Sequence, residues 1–381
     1  MVQTVERTHS LLSPSSAERW LVCTPSARMC EEFPYESNEY MEEGTTAHAL
    51  GEIKLLKAFE KISDEEYQNR FEIIKNDKYY CEEIENCSDF YVETVKSLQL
   101  EKPSILEVEK SIDLSEFIPE GHGTADCLFI EDTTLTIVDY KHGQGVLVEA
   151  PYNKQLQLYA LGAFTYYRVV SDIKEVQMVI CQPRKNNVSV YRMGTEELLK
   201  FGEEVKRIAP IAWEGLGECK AGKWCVFCRA KATCKAQADL LKALEGKINR
   251  NIHNLTYEQL ADVLDKSEQI IDFVNSVKSF AIEQLLQGQE IRGYKVVEGR
   301  SKRVFLELTK AMEIASELID ENELYERKPI SLASIEKKIG KKVFNEKFAG
   351  LVYTPRGTPT LAKLEDKRPD YNSIENAFKD L

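Results

Sequence analysis

Residues 123–141 read GTADCLFIEDTTLTIVDYK, and this stretch decides the fold. Two runs rich in β-branched and apolar residues, Gly123 to Ile130 and Leu135 to Lys141, flank the turn-like Glu131-Asp132-Thr133-Thr134, which is the pattern of a β-hairpin. If Glu131 pairs with Thr134 across a tight turn, Leu128 faces Ile137 and Asp126 faces Asp139. Facing residues project to the same side of a sheet with Cβ atoms about 5 Å apart, and Lys141, two residues beyond Asp139, shares that side. Leu128, Ile130, Leu135 and Ile137 fill the rest of the aspartate face, while Cys127 and Val138 lie on the other. Both faces are apolar, so the hairpin is expected at the centre of a sheet covered by helices on both sides, with a polar group at one end.

Working outward, Ile105 to Ile112 reads as a preceding strand, and a helix is expected from Pro151 to about Val169. Glu175 to Cys181 and Val188 to Arg192 form a second strand pair around the turn signal Arg184-Lys185-Asn186-Asn187, and a helix from Thr195 to about Ile208 follows. Upstream, helices are expected after the Ser13-Pro14-Ser15-Ser16 cap signal and over Thr45 to Phe59. Beyond Arg250 the pattern is helical, with a long helix from Thr256 to Leu286. The chain is therefore expected to be α/β, a central mixed sheet flanked by helices over residues 1–250, with a mainly helical region of unknown role over 251–381.

Composition narrows the function. The net charge of −13 argues against indiscriminate nucleic-acid binding, yet Lys220 to Arg250 holds eight basic and two acidic residues. No apolar run reaches the roughly 20 residues of a membrane helix, and the start of the chain lacks a secretory pattern, so a cytoplasmic protein is expected, with no membrane partner. Ten cysteines in a reducing compartment read as metal ligands or buried thiols rather than a disulfide framework.

Two groups carry chemistry. Hydrolysis of a phosphodiester calls for a divalent cation such as Mg²⁺ or Mn²⁺ on converging carboxylates, the arrangement expected of Asp126 and Asp139, with Lys141 placed to orient water or to stabilise developing charge. Asp139-Tyr140-Lys141 alone is weak evidence, since a salt bridge at a strand end looks the same. Gln155 and Tyr159 stand four residues apart and share one helix face. The second group is Cys225, Cys228 and Cys234, spaced C-x2-C-x5-C, a strong metal-binding signal. With Cys219 as fourth ligand the site is local and suits a structural zinc. With Cys23 it closes a loop of about two hundred residues, as an iron-sulfur cluster does. Lys220, Lys223, Arg229, Lys231 and Lys235 interleave with Trp224 and Phe227, a composition suited to a phosphate backbone and its bases.

Taken in order, Gly-Thr-Ala-Asp126, Asp139-Tyr-Lys141 and Gln155-x-x-x-Tyr159 resemble the RecB-like branch of the PD-(D/E)XK nucleases, over about residues 10 to 240. That branch includes the AddB nuclease domain and the CRISPR-adaptation exonucleases. The resemblance implies a restriction-endonuclease-like core, Asp126, Asp139 and Lys141 as catalytic residues, and Gln155 with Tyr159 on the substrate. Glu43-Gly-Thr-Thr-Ala-His48 resembles the motif that adds a histidine ligand, implying His48 beside Asp126 and Asp139 on the cation; Glu52, one turn on, is a candidate outer partner, and His122 and His142 are substrate-side or structural candidates. The iron-sulfur members place one cysteine before the nuclease motifs and three after, implying a 4Fe-4S cluster on Cys23, Cys225, Cys228 and Cys234. Ser13 to Ala27 is similar to a phage and prophage family of this kind, except that Thr24 stands between Cys23 and Pro25 where the proline commonly follows directly. The implied activity is a metal-dependent deoxyribonuclease, an exonuclease of phage recombination or DNA processing, with DNA and phage recombination or replication proteins as partners. The alternative is a DNA-binding or scaffolding protein that keeps the site and a structural metal without turnover.

Overall fold

The computed structural model describes residues 10–34, 37–99, 102–247, 256–296 and 346. After a 3-10 turn at Pro14–Ser16 come α1 (Ala17–Trp20), α2 (Ser26–Glu31), α3 (Glu39–Ala58), α4 (Asp64–Lys75) and α5 (Glu82–Ser97). Strands β1 (Ile105–Asp113), β2 (His122–Glu131) and β3 (Thr134–Tyr140) follow, then α6 (Lys154–Tyr167), β4 (Glu175–Gln182), β5 (Asn187–Gly194) and α7 (Thr195–Trp213). The described chain ends with α8 (Lys235–Lys247) and α9 (Tyr257–Leu286). Side-chain caps set several helix starts: Asn38 accepts from the N–H of Met41, Ser63 from that of Glu66 and Asn153 from that of Leu156.

The strands form one five-stranded mixed sheet in the order β1-β2-β3-β4-β5. Only β3 and β4 run parallel, and α6 makes the crossover between them. The β2–β3 register is the expected one, with Glu131 opposite Thr134, Leu128 opposite Ile137 and Cys127 opposite Val138. Asp132, with φ 51°, takes the left-handed conformation that a two-residue hairpin turn requires.

Each face of the sheet carries its own core. On one, Leu128, Ile130, Leu135, Ile137, Met178 and Ile180 pack under α6, α7 and the buried Trp20. On the other, Cys127, Phe129, Val138, Tyr140 and Val179 pack under α3 and α5 through Leu50, Ile53, Tyr91 and Val95. Most of these side chains are fully buried, each contributing about 1.5–3 kcal/mol of transfer free energy. The chain is thus a mixed α/β protein with helices on both sides of a central sheet.

Two compact units divide the chain, Met1–Val297 and Glu298–Leu381. The helical region expected after 250 is described through α9; Arg300, Lys302, Arg303 and all later basic residues lie outside the described residues.

Candidate functional site

The face assignment of β1 and β2 changes part-way along both strands. From Ile130 back to Cys127 the side chains alternate between the two cores, but Ala125 then joins the core of Leu128 and Ile130. On β1, Leu106 and Val108 lie with Cys127, whereas Ile112 lies with Leu128. A regular strand keeps residues an even number apart on one face, so both strands switch faces between these points. Glu109 sits at the switch with φ 50°. The pairs Val108–Cys127 and Lys110–Ala125 put Glu109 opposite Asp126.

The β2–β3 ladder stops at the same place. Its last pair is Cys127–Val138, one step short of the expected facing of Asp126 and Asp139. Instead of a backbone carbonyl, the Oδ2 of Asp126 accepts the N–H of Tyr140 at 2.7 Å. Asp126 is thereby clamped between the strands, and the sheet opens beside it to helices from both faces.

From α3, His48 brings Nδ1 to 3.3 Å from Oδ1 of Asp126. On the other side Lys141 Nζ lies 2.9 Å from Oδ2 and 3.2 Å from Oδ1 of the buried Asp139. The ammonium also donates to Oε1 of Gln155 on α6 at 3.0 Å, and Gln155 Nε2 donates to the hydroxyl of Tyr159 at 3.2 Å. Gly123 permits this last approach: a Cβ there would stand 2.8 Å from the Tyr159 ring and 2.9 Å from Pro14. His48, Asp126, Asp139, Lys141, Gln155 and Tyr159, from two strands, the segment after β3 and two helices, therefore meet at one end of the sheet.

Their electrostatics separate the two aspartates. Burial works to raise the pKa of Asp126, but His48, Lys141 and the Tyr140 N–H outweigh it and hold the carboxyl below its ordinary value. Burial dominates at Asp139 and, with Asp126 adding to it, raises its pKa despite Lys141. At Lys141 burial opposes the charge, but Asp139 and Asp126 raise its pKa. At His48 burial likewise opposes the charge, and Asp126 raises the ring's pKa. The site thus favours one ionised carboxylate, one carboxyl pushed toward protonation and a firmly charged lysine.

Among the described residues, His48, Glu109 and Asp126 form the group whose donor atoms all lie within 4.8 Å of one another. One imidazole nitrogen with carboxylate oxygens suits Mn²⁺ or Mg²⁺. Glu109 is the residue that the sequence did not disclose. An eight-residue connection, 114–121, separates β1 from β2, so no tight turn fixes their register, and a glutamate in mid-strand reads as an ordinary exposed position.

Other candidates lie elsewhere. Glu52 pairs with Arg70 of α4 at 2.6 Å rather than supporting His48. His122 is exposed and bonds through Nδ1 to the carbonyl of Glu120. His142 is buried behind the site, its Nδ1 3.2 Å from the Tyr140 hydroxyl, and burial with the nearby Arg184 lowers its pKa to about 4. Arg184, after β4, binds Glu43 of α3 through both terminal nitrogens at 3.1 and 2.7 Å and Glu83 of α5 at 3.0 Å.

The cysteines gather in a second place. Cys23, Cys219, Cys225, Cys228 and Cys234 all line one cavity, with Arg19, Lys220 and Trp224. Cys23 Sγ accepts the N–H of Lys220 at 3.4 Å. Around the cavity, Thr24 donates to the carbonyl of Leu216, Arg28 to that of Trp213, Arg19 to that of Phe227 and Arg229 to that of Phe33. The N-terminal segment is thus stitched to the segment after α7, and both proposed fourth ligands reach the cavity. Cys30 is buried, with its sulfur 3.7 Å from that of Cys228, while Cys81 is exposed. Of the basic residues here, Lys231 pairs with Asp272 of α9 at 2.8 Å and Arg229 is committed to Phe33. Phe227 is 76% exposed.

Residues 9–369 match the family described as protein of unknown function (DUF2800). The chain belongs to the DUF2800 family. A solved structure titled "Crystal structure of SSO0001" aligns with 56% of this chain and 95% of that one, at 13% identity and a TM-score of 0.23; so low a score carries no argument about this DUF2800 protein. No described helix is long and apolar enough to cross a membrane.

Proposed function

We propose that this DUF2800 protein is a divalent-metal-dependent deoxyribonuclease with a PD-(D/E)XK core of the RecB-like kind. The observation that carries the reading is the single constellation in which Asp126 meets His48 while Asp139, Lys141, Gln155 and Tyr159 form one hydrogen-bonded chain. His48, Asp126 and Asp139 would hold the cation, which when bound polarises a phosphate and acidifies a water molecule. Lys141, kept protonated by its two aspartates, supplies a fixed positive charge where negative charge develops on the phosphate. Gln155 orients that ammonium and is itself held by Tyr159, so α6 sets the position of the lysine. The resemblance to the CRISPR-adaptation exonucleases extends the proposal to exonuclease action.

The cavity cysteines fit a thiolate-bound centre. We assign Cys23, Cys225, Cys228 and Cys234 to a 4Fe-4S cluster that joins the two stitched segments, a structural role, since hydrolysis moves no electrons. The reading is tested with end-labelled DNA and Mn²⁺: degradation is expected, with a loss on the order of 10²-fold or more in Asp139→Ala and Lys141→Ala. Undiminished cleavage by either variant overturns it, and DNA binding without cleavage under any divalent cation favours the scaffolding alternative.

A further inference from the structure

We infer that Glu109 joins His48 and Asp126 as a protein ligand of the cation, delivered by the left-handed backbone turn in the middle of β1; this rests on reading that site as a cation centre. Three features converge on Glu109. Its carboxylate lies within 4.8 Å of both the Asp126 oxygen and the His48 nitrogen. Its backbone adopts φ 50°, which disfavours every residue with a Cβ, inside a strand whose neighbouring pairs are regular. The two strands switch faces at this position.

The switch has a geometric consequence. The register sets Glu109 opposite Asp126, one step beyond Cys127–Val138, the last pair of the β2–β3 ladder. Glu109 and Asp126 therefore face each other in the row where pairing to β3 has stopped. A regular ladder leaves no interruption in such a row; here both ladders break at Asp126, and the break lets side chains from β1 and α3 reach the same point. The charges call for a cation. Glu109 and Asp126 supply two carboxylates, the charge of one divalent ion, once His48 is neutral as a ligand must be. Two carboxylates with one imidazole place the site between the all-oxygen preference of Mg²⁺ and the nitrogen preference of later transition metals, which points to Mn²⁺.

Glu109→Gln keeps the size of the side chain and removes the charge, while Glu109→Gly also frees the backbone. Calorimetric titration of Mn²⁺ into the metal-free full-length chain should show binding weakened by about 10–100-fold in both variants, at least the effect of losing an outer-shell partner. Without metal, Glu109→Gly should melt ~2–4 °C higher than the native chain, because glycine adopts this φ without cost. Asp126→Asn separates the two claims. If it binds Mn²⁺ like the native chain, the cation site itself is misread. If it loses Mn²⁺ while Glu109→Gln and Glu109→Gly bind normally, the site stands and the role of Glu109 is overturned.

Discussion

At the scale of single residues, the site shows how burial makes neighbours decide protonation. Asp126 and Asp139 are chemically identical, yet opposed shifts follow because one faces His48 and a backbone N–H while burial dominates at the other. His142 gives the cleanest pH test, since its pKa falls from 6.5 to about 4 through burial and the proximity of Arg184. Above pH 6.5 the ring is neutral in both folded and unfolded chains, and its contribution is complete. Below that value the unfolded chain takes up a proton that the folded chain refuses, so stability falls until about pH 4, by on the order of 3 kcal/mol at most. Urea unfolding at pH 7 and pH 5 should therefore show a stability difference that shrinks in His142→Leu. An unchanged difference would place the acid sensitivity in other groups. Gly123→Ala makes a second test: the added methyl meets Tyr159 and Pro14, so the proposed nuclease activity should drop about tenfold, the scale of a misplaced substrate-side group. A variant as active as the native chain would show that Tyr159 has no positioning role.

Secondary-structure elements were more legible than their junctions. The hairpin register could be read because a two-residue turn leaves the pairing no freedom, and the long helix ending at Leu286 from its helical pattern, its start then fixed by the capping box of Thr256 and Gln259. The gathering of His48, Asp126, Lys141, Gln155 and Tyr159 was expected from resemblance and spacing. What stayed hidden depends on long-range placement. Glu109 needed the β1 register, and Arg184 needed the knowledge that α3 and α5 begin beside the β4–β5 turn. The Arg184 contacts matter because they fix the helix that carries His48. With its side chain 10% exposed and bound to two glutamates, Arg184→Met should cost about 2 kcal/mol, less than the 3–5 of a fully buried pair since Glu83 is half exposed. Chemical denaturation measures that loss, and a loss below 0.5 kcal/mol, about the level of a surface pair, would mean α3 is anchored by its apolar face alone.

For the whole molecule, the question is how the cysteine cavity acts on a site built from other elements. The connection runs through the N-terminal segment. Pro14 packs against Gly123 and, with it, Tyr159, while Trp20 is buried in the core beneath α6. Cys23 follows three residues after Trp20 and accepts the N–H of Lys220 across the cavity. A cluster joining Cys23 to the 225–234 segment would close a loop of about two hundred residues and hold this segment in place, restricting the unfolded chain as well as bracing the folded one. Cys23→Ser should therefore lose the brown colour and iron of a cluster, melt at a lower temperature, and raise KM for DNA more than it lowers kcat, because Tyr159 loosens while Asp126, Asp139 and Lys141 stay. Cys219→Ser should keep colour and iron. A native protein that is colourless and holds zinc would overturn the cluster, and loss of metal in Cys219→Ser but not Cys23→Ser would move the fourth ligand into the local segment and uncouple the cavity from the proposed nuclease site.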